Sequence, residues 1–260
     1  MPVGELVHET FRSFVARQFG TAGRAWLESL PKTLATVAAE WDLELGTELH
    51  GGVLACVLEA RTALGEEVVL KVAGPWDRPR DEIACLRRWG GRGAPRLIHA
   101  DPYRGAFLLE RIRPATVATD ATADEVARLI GLLHTDPADA VPPLGEVVRA
   151  RIEQAVAQGR AAPEQAAKAL ASVERLEGEA AEPVLLHGDL DDRNLLRCSM
   201  RGLVAIDPLP AVGDAAYDAA YWAHANRRPG KRERIEAIAR ALGADAGHIR
   251  RWGAVVAVHG

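Results

Sequence analysis

The segment LLHGDLDDRNLLRCSMRGLVAID, from Leu185 to Asp207, sets a dense polar cluster between two apolar runs and ends the second run on a single acid. Short apolar runs bounded by turn residues read as strands: VLL before the cluster, then NLLR and LVAID joined by SMRG as a small hairpin. A hairpin from Asn194 to Asp207 brings its ends together, so the Asn194 amide and the Asp207 carboxylate converge on one point. Two oxygen donors at a strand end suit magnesium, which takes oxygen ligands, keeps several waters and is shared with substrate phosphates. Asp189, earlier on the same loop, stands beside that point without needing to ligate the metal, which is the position of a catalytic base. A solvated turn would gain nothing by ending the strand LVAI on Asp207.

The rest of the chain divides into contrasting halves. From Glu5 to Glu40 the reading is helical, with Leu6, Phe11, Phe14 and Val15 at helix spacing, a stop at Gly20 and a new cap at Thr21. After Trp41 come the short strand-like runs LELGTELH, VLACVLEAR and EVVLKVA, punctuated by Gly51-Gly52 and Leu64-Gly65, which read as a small antiparallel sheet. DRPRDEIACLRRWG reads as a helix, PRLIHA and GAFLLERI as strands, and RPATVATDAT as a hinge. Beyond Thr122, which forms a capping box with Glu125, the pattern is helical apart from the polar loop and its hairpin: roughly Leu144 to Gln158, Pro163 to Glu177, and from about Ala215 onward. The expected organisation is a helical segment over 1–40, an N-lobe over 41–113 and a helical C-lobe over 114–260.

Composition excludes several classes. In 260 residues, 32 basic side chains stand against 36 acidic ones, a formal net charge of -4. This balance argues against a nucleic-acid or anionic-membrane partner and leaves room for a cationic small molecule. Cys56, Cys85 and Cys198 are odd in number and widely spaced, so they read as reduced core thiols rather than disulfides or a zinc site. MPVGELVHETF lacks the apolar run of a secretory signal, and no stretch is long enough to span a bilayer. The expectation is a cytoplasmic protein, monomeric or weakly dimeric.

HGDLDDRN followed by Asp207 after a short hairpin resembles the H-G-D-x-x-x-x-N catalytic loop of the aminoglycoside phosphotransferases, relatives of the protein kinases. Upstream parts follow the same order: EVVLK ends in Lys71 on the third strand, and Glu82 lies on the next helix. FLLER, with Glu110, fits the hinge strand beside the nucleotide. Within that superfamily the chain is most similar to the streptomycin 6-phosphotransferase group, also called the aminoglycoside and hydroxyurea resistance kinases, through FGTAGRAWLESLP and VAIDPLPAVGDAAYDAA as well.

The resemblance implies a bilobal α+β kinase fold that transfers the γ-phosphoryl group of ATP to a hydroxyl of an aminocyclitol such as streptomycin. Asp189 would accept or orient the hydroxyl proton, and Asn194 and Asp207 would hold Mg²⁺. Lys71 would contact the α- and β-phosphates, steadied by Glu82 or by the adjacent Asp81, and Gly51 and Gly52 would let the backbone approach the phosphates. His187 and Asp218 are expected to brace the loop, and Tyr217, Tyr221 and Trp222 to be core. Asp191 stands where the group usually has histidine and Leu209 where lysine is common, while Gly260 falls inside the pattern's last helical region. The two replacements favour a cationic acceptor held near Asp191, with Asp192 and Asp214 in support. The alternatives are a metabolic sugar or amino-sugar kinase on the same fold and a nucleotide-binding pseudokinase.

Overall fold

A computed structural model describes residues 6–49, 54–179, 182–225 and 230–260. The chain forms two compact units, Met1–Ile83 with Arg96–Arg111, and Ala84–Pro95 with Ile112–Gly260.

In the first unit, helix α1 (Glu9–Glu40) breaks at Gly20, whose φ of 54° and ψ of -128° interrupt the helical path where the sequence places a stop. Leu27, Leu30, Leu34 and Val37 recur at helix spacing and are buried, so this stretch presents one apolar stripe. The stripe packs with Cys56, Leu58, Leu70, Val72 and Leu108 of the sheet in one core. Helix α1 therefore lies in the same unit as the sheet.

Five antiparallel strands form that sheet in the order β1 (Leu43–Glu48), β2 (Ala55–Thr62), β3 (Glu67–Ala73), β5 (Ala106–Glu110) and β4 (Leu97–Asp101). The strand β3 is central, with Lys71 opposite Val57 on one side and Phe107 on the other. Val68, Leu70 and Val72 belong to the core shared with α1. Strand alternation therefore sends Lys71 to the opposite face of the sheet. Helix α2 (Pro79–Trp89) follows, and the division between the units falls inside it.

The second unit holds helices α3 (Ala123–Leu133), α4 (Leu144–Ala157), α5 (Pro163–Glu179), α6 (Ala216–Ala225), α7 (Lys231–Leu242) and α8 (Ala246–His259). Helix α3 starts with the expected capping box: Thr122 accepts from the Glu125 N–H, and the Glu125 carboxylate accepts from the Thr122 N–H. Two small sheets carry the polar loop. One pairs β7 (Val184–Leu186) with β10 (Ala211–Gly213), and the other is ordered β6 (Pro114–Val117), β8 (Leu195–Cys198) and β9 (Gly202–Ala205).

The strand β6 corrects the reading of RPATVATDAT as a hinge. Four residues with a register shift and positive φ at Ala115 have no period-two pattern, and pairing with β8 alone makes them a strand. Cys56 and Cys85 are buried as expected, whereas Cys198 is half-buried at the end of β8, and none of the three is in a disulfide. Among the described residues no helix is long and apolar enough to cross a membrane.

Candidate active site

Lys71 and Glu82 meet in the first unit. The Lys71 ammonium donates to both carboxylate oxygens of Glu82, at 2.8 and 2.9 Å, and the two side chains are only 7% and 6% exposed. Lys71 also lies 5.5 Å from the Phe107 ring centre, a cation–π distance. A pair this dry holds its cation in one place, because neither charge has water to replace its partner. Asp81, the other acid considered, pairs with Arg78 instead, at 2.6 Å. Burial raises its pKa, an effect that Arg78 partly offsets. Glu110 ends β5 and accepts from the Arg96 N–H at 2.9 Å. Gly51 and Gly52 lie outside the described residues.

The polar loop in the second unit is built from its ends inward. Pairing of Leu186 with Ala211 and of Leu185 with Val212 closes its base, and the Leu209 N–H donates to the His187 carbonyl at 2.9 Å. Only glycine fits at position 188, where φ is 76° and a Cβ would meet the Leu209 carbonyl oxygen at 1.9 Å. Asp218, in the first turn of α6, accepts the backbone N–H groups of His187 and Gly188, each at 2.9 Å, and bonds the His134 ring at 3.1 Å. Burial alone would raise the Asp218 pKa, but His134, His187 and the Gly188 N–H bring it below the usual carboxylate range.

His187 is fully buried and stacks on Trp89 with ring centres 6.1 Å apart. Its Nε2 lies 3.0 Å from the Ile206 carbonyl, and its Nδ1 accepts from the Asp189 N–H at 3.3 Å. Those two bonds fit one neutral tautomer, and burial lowers the pKa in the same sense. His187 thus orients the loop as expected.

Beyond Gly188 the loop delivers Asp189 and Asn194 to one another. The Asn194 side-chain nitrogen donates to the Asp189 carbonyl and to Asp189 Oδ2, both at 2.8 Å, which leaves Oδ1 as the amide's ligand atom. The hairpin closes as read: Leu195 pairs with Ala205, and the Ile206 N–H donates to the Asn194 carbonyl at 2.8 Å. The next residue, Asp207, has a φ of 52°. This left-handed conformation is uncommon outside glycine and concentrates at functional sites.

Two residues at Asp189 were not legible as site residues. Arg151, on α4, bonds Asp189 Oδ1 through Nη2 and the Gly188 carbonyl through Nη1 at 2.7 Å. The Tyr221 hydroxyl, on α6, donates to the same carboxylate, and its ring lies 5.0 Å beneath the Arg151 guanidinium. Burial pushes the Asp189 pKa up, but Arg151 and the Tyr221 hydroxyl outweigh it and hold the carboxyl below its ordinary value. Tyr221 was read as core and does pack as core, yet its hydroxyl reaches the loop. Its place three residues after Asp218 on α6 was the one available signal. Arg151 carries none, being one of two arginines on α4.

The acids expected to hold the acceptor are engaged by the protein. Asp191 is 5% exposed and accepts from the Arg193 N–H at 2.6 Å and the Arg193 Nε at 2.9 Å, capping a short 3-10 turn over Asp192–Asn194. Asp192 is buried in that turn. Asp214 accepts from the Trp252 Nε1 at 2.7 Å and the Ala216 N–H at 2.9 Å and also meets His248 Nε2, which ties the start of α6 to α8. All three acids are buried.

The sequence profile of the aminoglycoside/hydroxyurea antibiotic resistance kinase family matches residues 40–259. The chain belongs to that family. Among its relatives, the streptomycin 6-kinase of Streptomyces griseus is 31% identical, over 91% of this chain and 83% of that protein. A hydroxyurea phosphotransferase of Kitasatospora aureofaciens is 32% identical, over 78% of this chain and 63% of that protein. The fold is similar to that of the choline kinase LicA of Streptococcus pneumoniae, with a TM-score of 0.63 at 15% identity and 84% of each chain covered; LicA is also known in complex with AMP. This kinase therefore has the bilobal protein-kinase-like fold and is a phosphotransferase with a hydroxyl acceptor.

Among the described residues no group of three or more His, Cys, Asp or Glu is placed to hold a metal. The donor set at the hairpin ends, Asn194 Oδ1 and the Asp207 carboxylate, still fits magnesium, which typically takes one or two protein ligands and completes its shell with water and phosphate oxygens.

Proposed function

We propose that this kinase transfers the γ-phosphoryl group of ATP to a hydroxyl of a small antibiotic, with a streptomycin-like aminocyclitol as the first acceptor to test. The observation that carries this reading is the convergence of Asp189, Asn194 and the start of Asp207 at one hairpin mouth, in a chain 31% identical to a streptomycin 6-kinase. Asp189 receives the acceptor hydroxyl and takes or orients its proton. Asn194 and Asp207 hold Mg²⁺, which supplies charge neutralisation on the phosphate oxygens when bound. Lys71, fixed by Glu82, meets the α- and β-phosphates; Glu110 and the glycines at 51 and 52 border the nucleotide. The intact Lys71–Glu82 pair and the Asp189 network favour an active kinase over a pseudokinase. Three cysteines outside any disulfide suit the reducing cytoplasm.

A second acceptor reading has specific support. Asp191 and Asp214 are already satisfied by Arg193, His248 and Trp252, so the charge pattern does not by itself call for a cationic acceptor. A small neutral hydroxyl compound, such as the hydroxyurea in the name of the Kitasatospora aureofaciens relative, is the alternative acceptor. An ADP-release assay with ATP and Mg²⁺, run across streptomycin, other aminocyclitols, neutral sugars and hydroxyurea with mass spectrometry of the products, separates them. Phosphorylated streptomycin with its affinity weakened by Asp191→Asn supports the cationic reading. Turnover of hydroxyurea or a neutral sugar alone overturns it, and ADP release with no acceptor in the panel overturns antibiotic phosphorylation altogether.

A further inference from the structure

We infer that Arg151 is a positioning residue for phosphoryl transfer: by holding Asp189 Oδ1 and the Gly188 carbonyl together, it fixes the face that Asp189 presents to the incoming hydroxyl. The inference rests on Asp189 being the acceptor-facing carboxylate. Its own grounds are geometric. A guanidinium is a rigid planar fork, and this one spans two points of the loop, the carbonyl of residue 188 and the carboxylate of residue 189. That double hold removes the rotation of Asp189 about its side-chain bonds. The fork is itself fixed, since it lies over the Tyr221 ring and comes within 3.5 Å of the Tyr217 hydroxyl, while His259 of α8 packs beside Tyr221.

The second carboxylate oxygen is located independently by Asn194. With Arg151 on one oxygen and Asn194 on the other, the direction left for a hydroxyl is set by the protein before the acceptor arrives. This is the preorganisation that makes an angstrom of displacement costly in turnover. Arg151 never touches substrate in this scheme. It acts through Asp189, so its loss should leave binding in place and slow the chemistry.

The test is a kinetic cycle of Arg151→Met, Asp189→Asn and the double variant, with kcat and both Michaelis constants measured and folding checked by circular dichroism. Arg151→Met should lower kcat roughly 100-fold with little change in the MgATP constant, and it should cost little more when Asp189 is already Asn. Arg151→Ala should regain turnover with millimolar guanidinium, which a merely structural role would not produce, and Arg151→Lys should regain only part, because an ammonium lacks the fork. If Asp189→Asn is crippled while folded Arg151→Met turns over normally, the inference fails and the role of Asp189 stands. Additive losses in the double variant also overturn it. Wild-type turnover by Asp189→Asn removes the role of Asp189, and the inference falls with it. Should Arg151→Met not fold, the Lys variant and the guanidinium rescue decide: Lys at wild-type kcat, or no rescue, refutes it.

Discussion

Two ion pairs, one in each unit, are built on opposite principles. Lys71 and Glu82 lie 11 residues apart, nearly dry, and hold one another by two short bonds. Arg151 and Asp189 lie 38 residues apart, are 17% and 25% exposed, and share their pairing with the Gly188 carbonyl, Asn194 and Tyr221. The first rests on a short, nearly dry contact between two side chains, so losing the acid removes the carboxylate that both short bonds reach. The second spreads the load over α4, α6 and the loop, so its geometry is at greater risk than its stability.

This contrast ranks the expected outcomes of mutation. Glu82→Leu should produce the largest loss, about 3–5 kcal/mol by urea unfolding, because it removes the carboxylate that takes both short bonds from the buried Lys71 ammonium. The double variant Lys71→Met/Glu82→Leu should recover much of that stability while nucleotide binding stays lost. If Glu82→Leu unfolds like the wild type, the dry pair is not what steadies this strand. Gly188→Ala should follow at about 3 kcal/mol, since its Cβ meets the Leu209 carbonyl in a left-handed conformation, and turnover should fall with it. A folded Ala variant at wild-type kcat would show that the loop can shift without consequence.

Asp218→Asn should cost about 2 kcal/mol, because an amide cannot accept from both backbone N–H groups with the strength of a carboxylate. Hydrogen exchange at the His187 and Gly188 amides should report the loss directly, and unchanged protection would remove Asp218 as the brace. The smallest effect belongs to the capping box. Thr122→Ala should lower stability by about 1 kcal/mol with kcat unchanged.

Glu125 extends that last test to acid. Its pKa is held down to about 2, first by Arg197 and then by the Thr122 N–H, against an ordinary 4.5. Its folded pKa is depressed, so its stabilisation is full above the ordinary value and disappears as pH falls from about 4.5 to about 2. Glu125→Gln should flatten the stability curve in that window and nowhere else. An unchanged acid slope would mean that Arg197 does not hold this carboxylate.

The sequence alone determined most of the elements and the hairpin of the polar loop. The alternation in EVVLKVA, the apolar stripe at Leu27, Leu30, Leu34 and Val37, the stop at Gly20, the capping box and the hairpin from Asn194 to Asp207 all depend on residues a few positions apart, where backbone periodicity and turn chemistry leave a readable pattern. Lys71 and Glu82 were legible through the resemblance to a kinase small lobe, which left the adjacent Asp81 open as the acid until the Lys71 bonds to Glu82 were seen.

Only the tertiary structure decided which acid serves which partner. Asp189, Asp191 and Asp192 are alike in the sequence, yet Asp189 went to Arg151 and Tyr221, Asp191 turned back on Arg193, and Asp214 was taken by His248 and Trp252. The strand β6 likewise exists because β8 lies beside it. Partners tens of residues apart meet through the stacking of whole helices and strands, and a charge carries no mark of which distant helix will reach it.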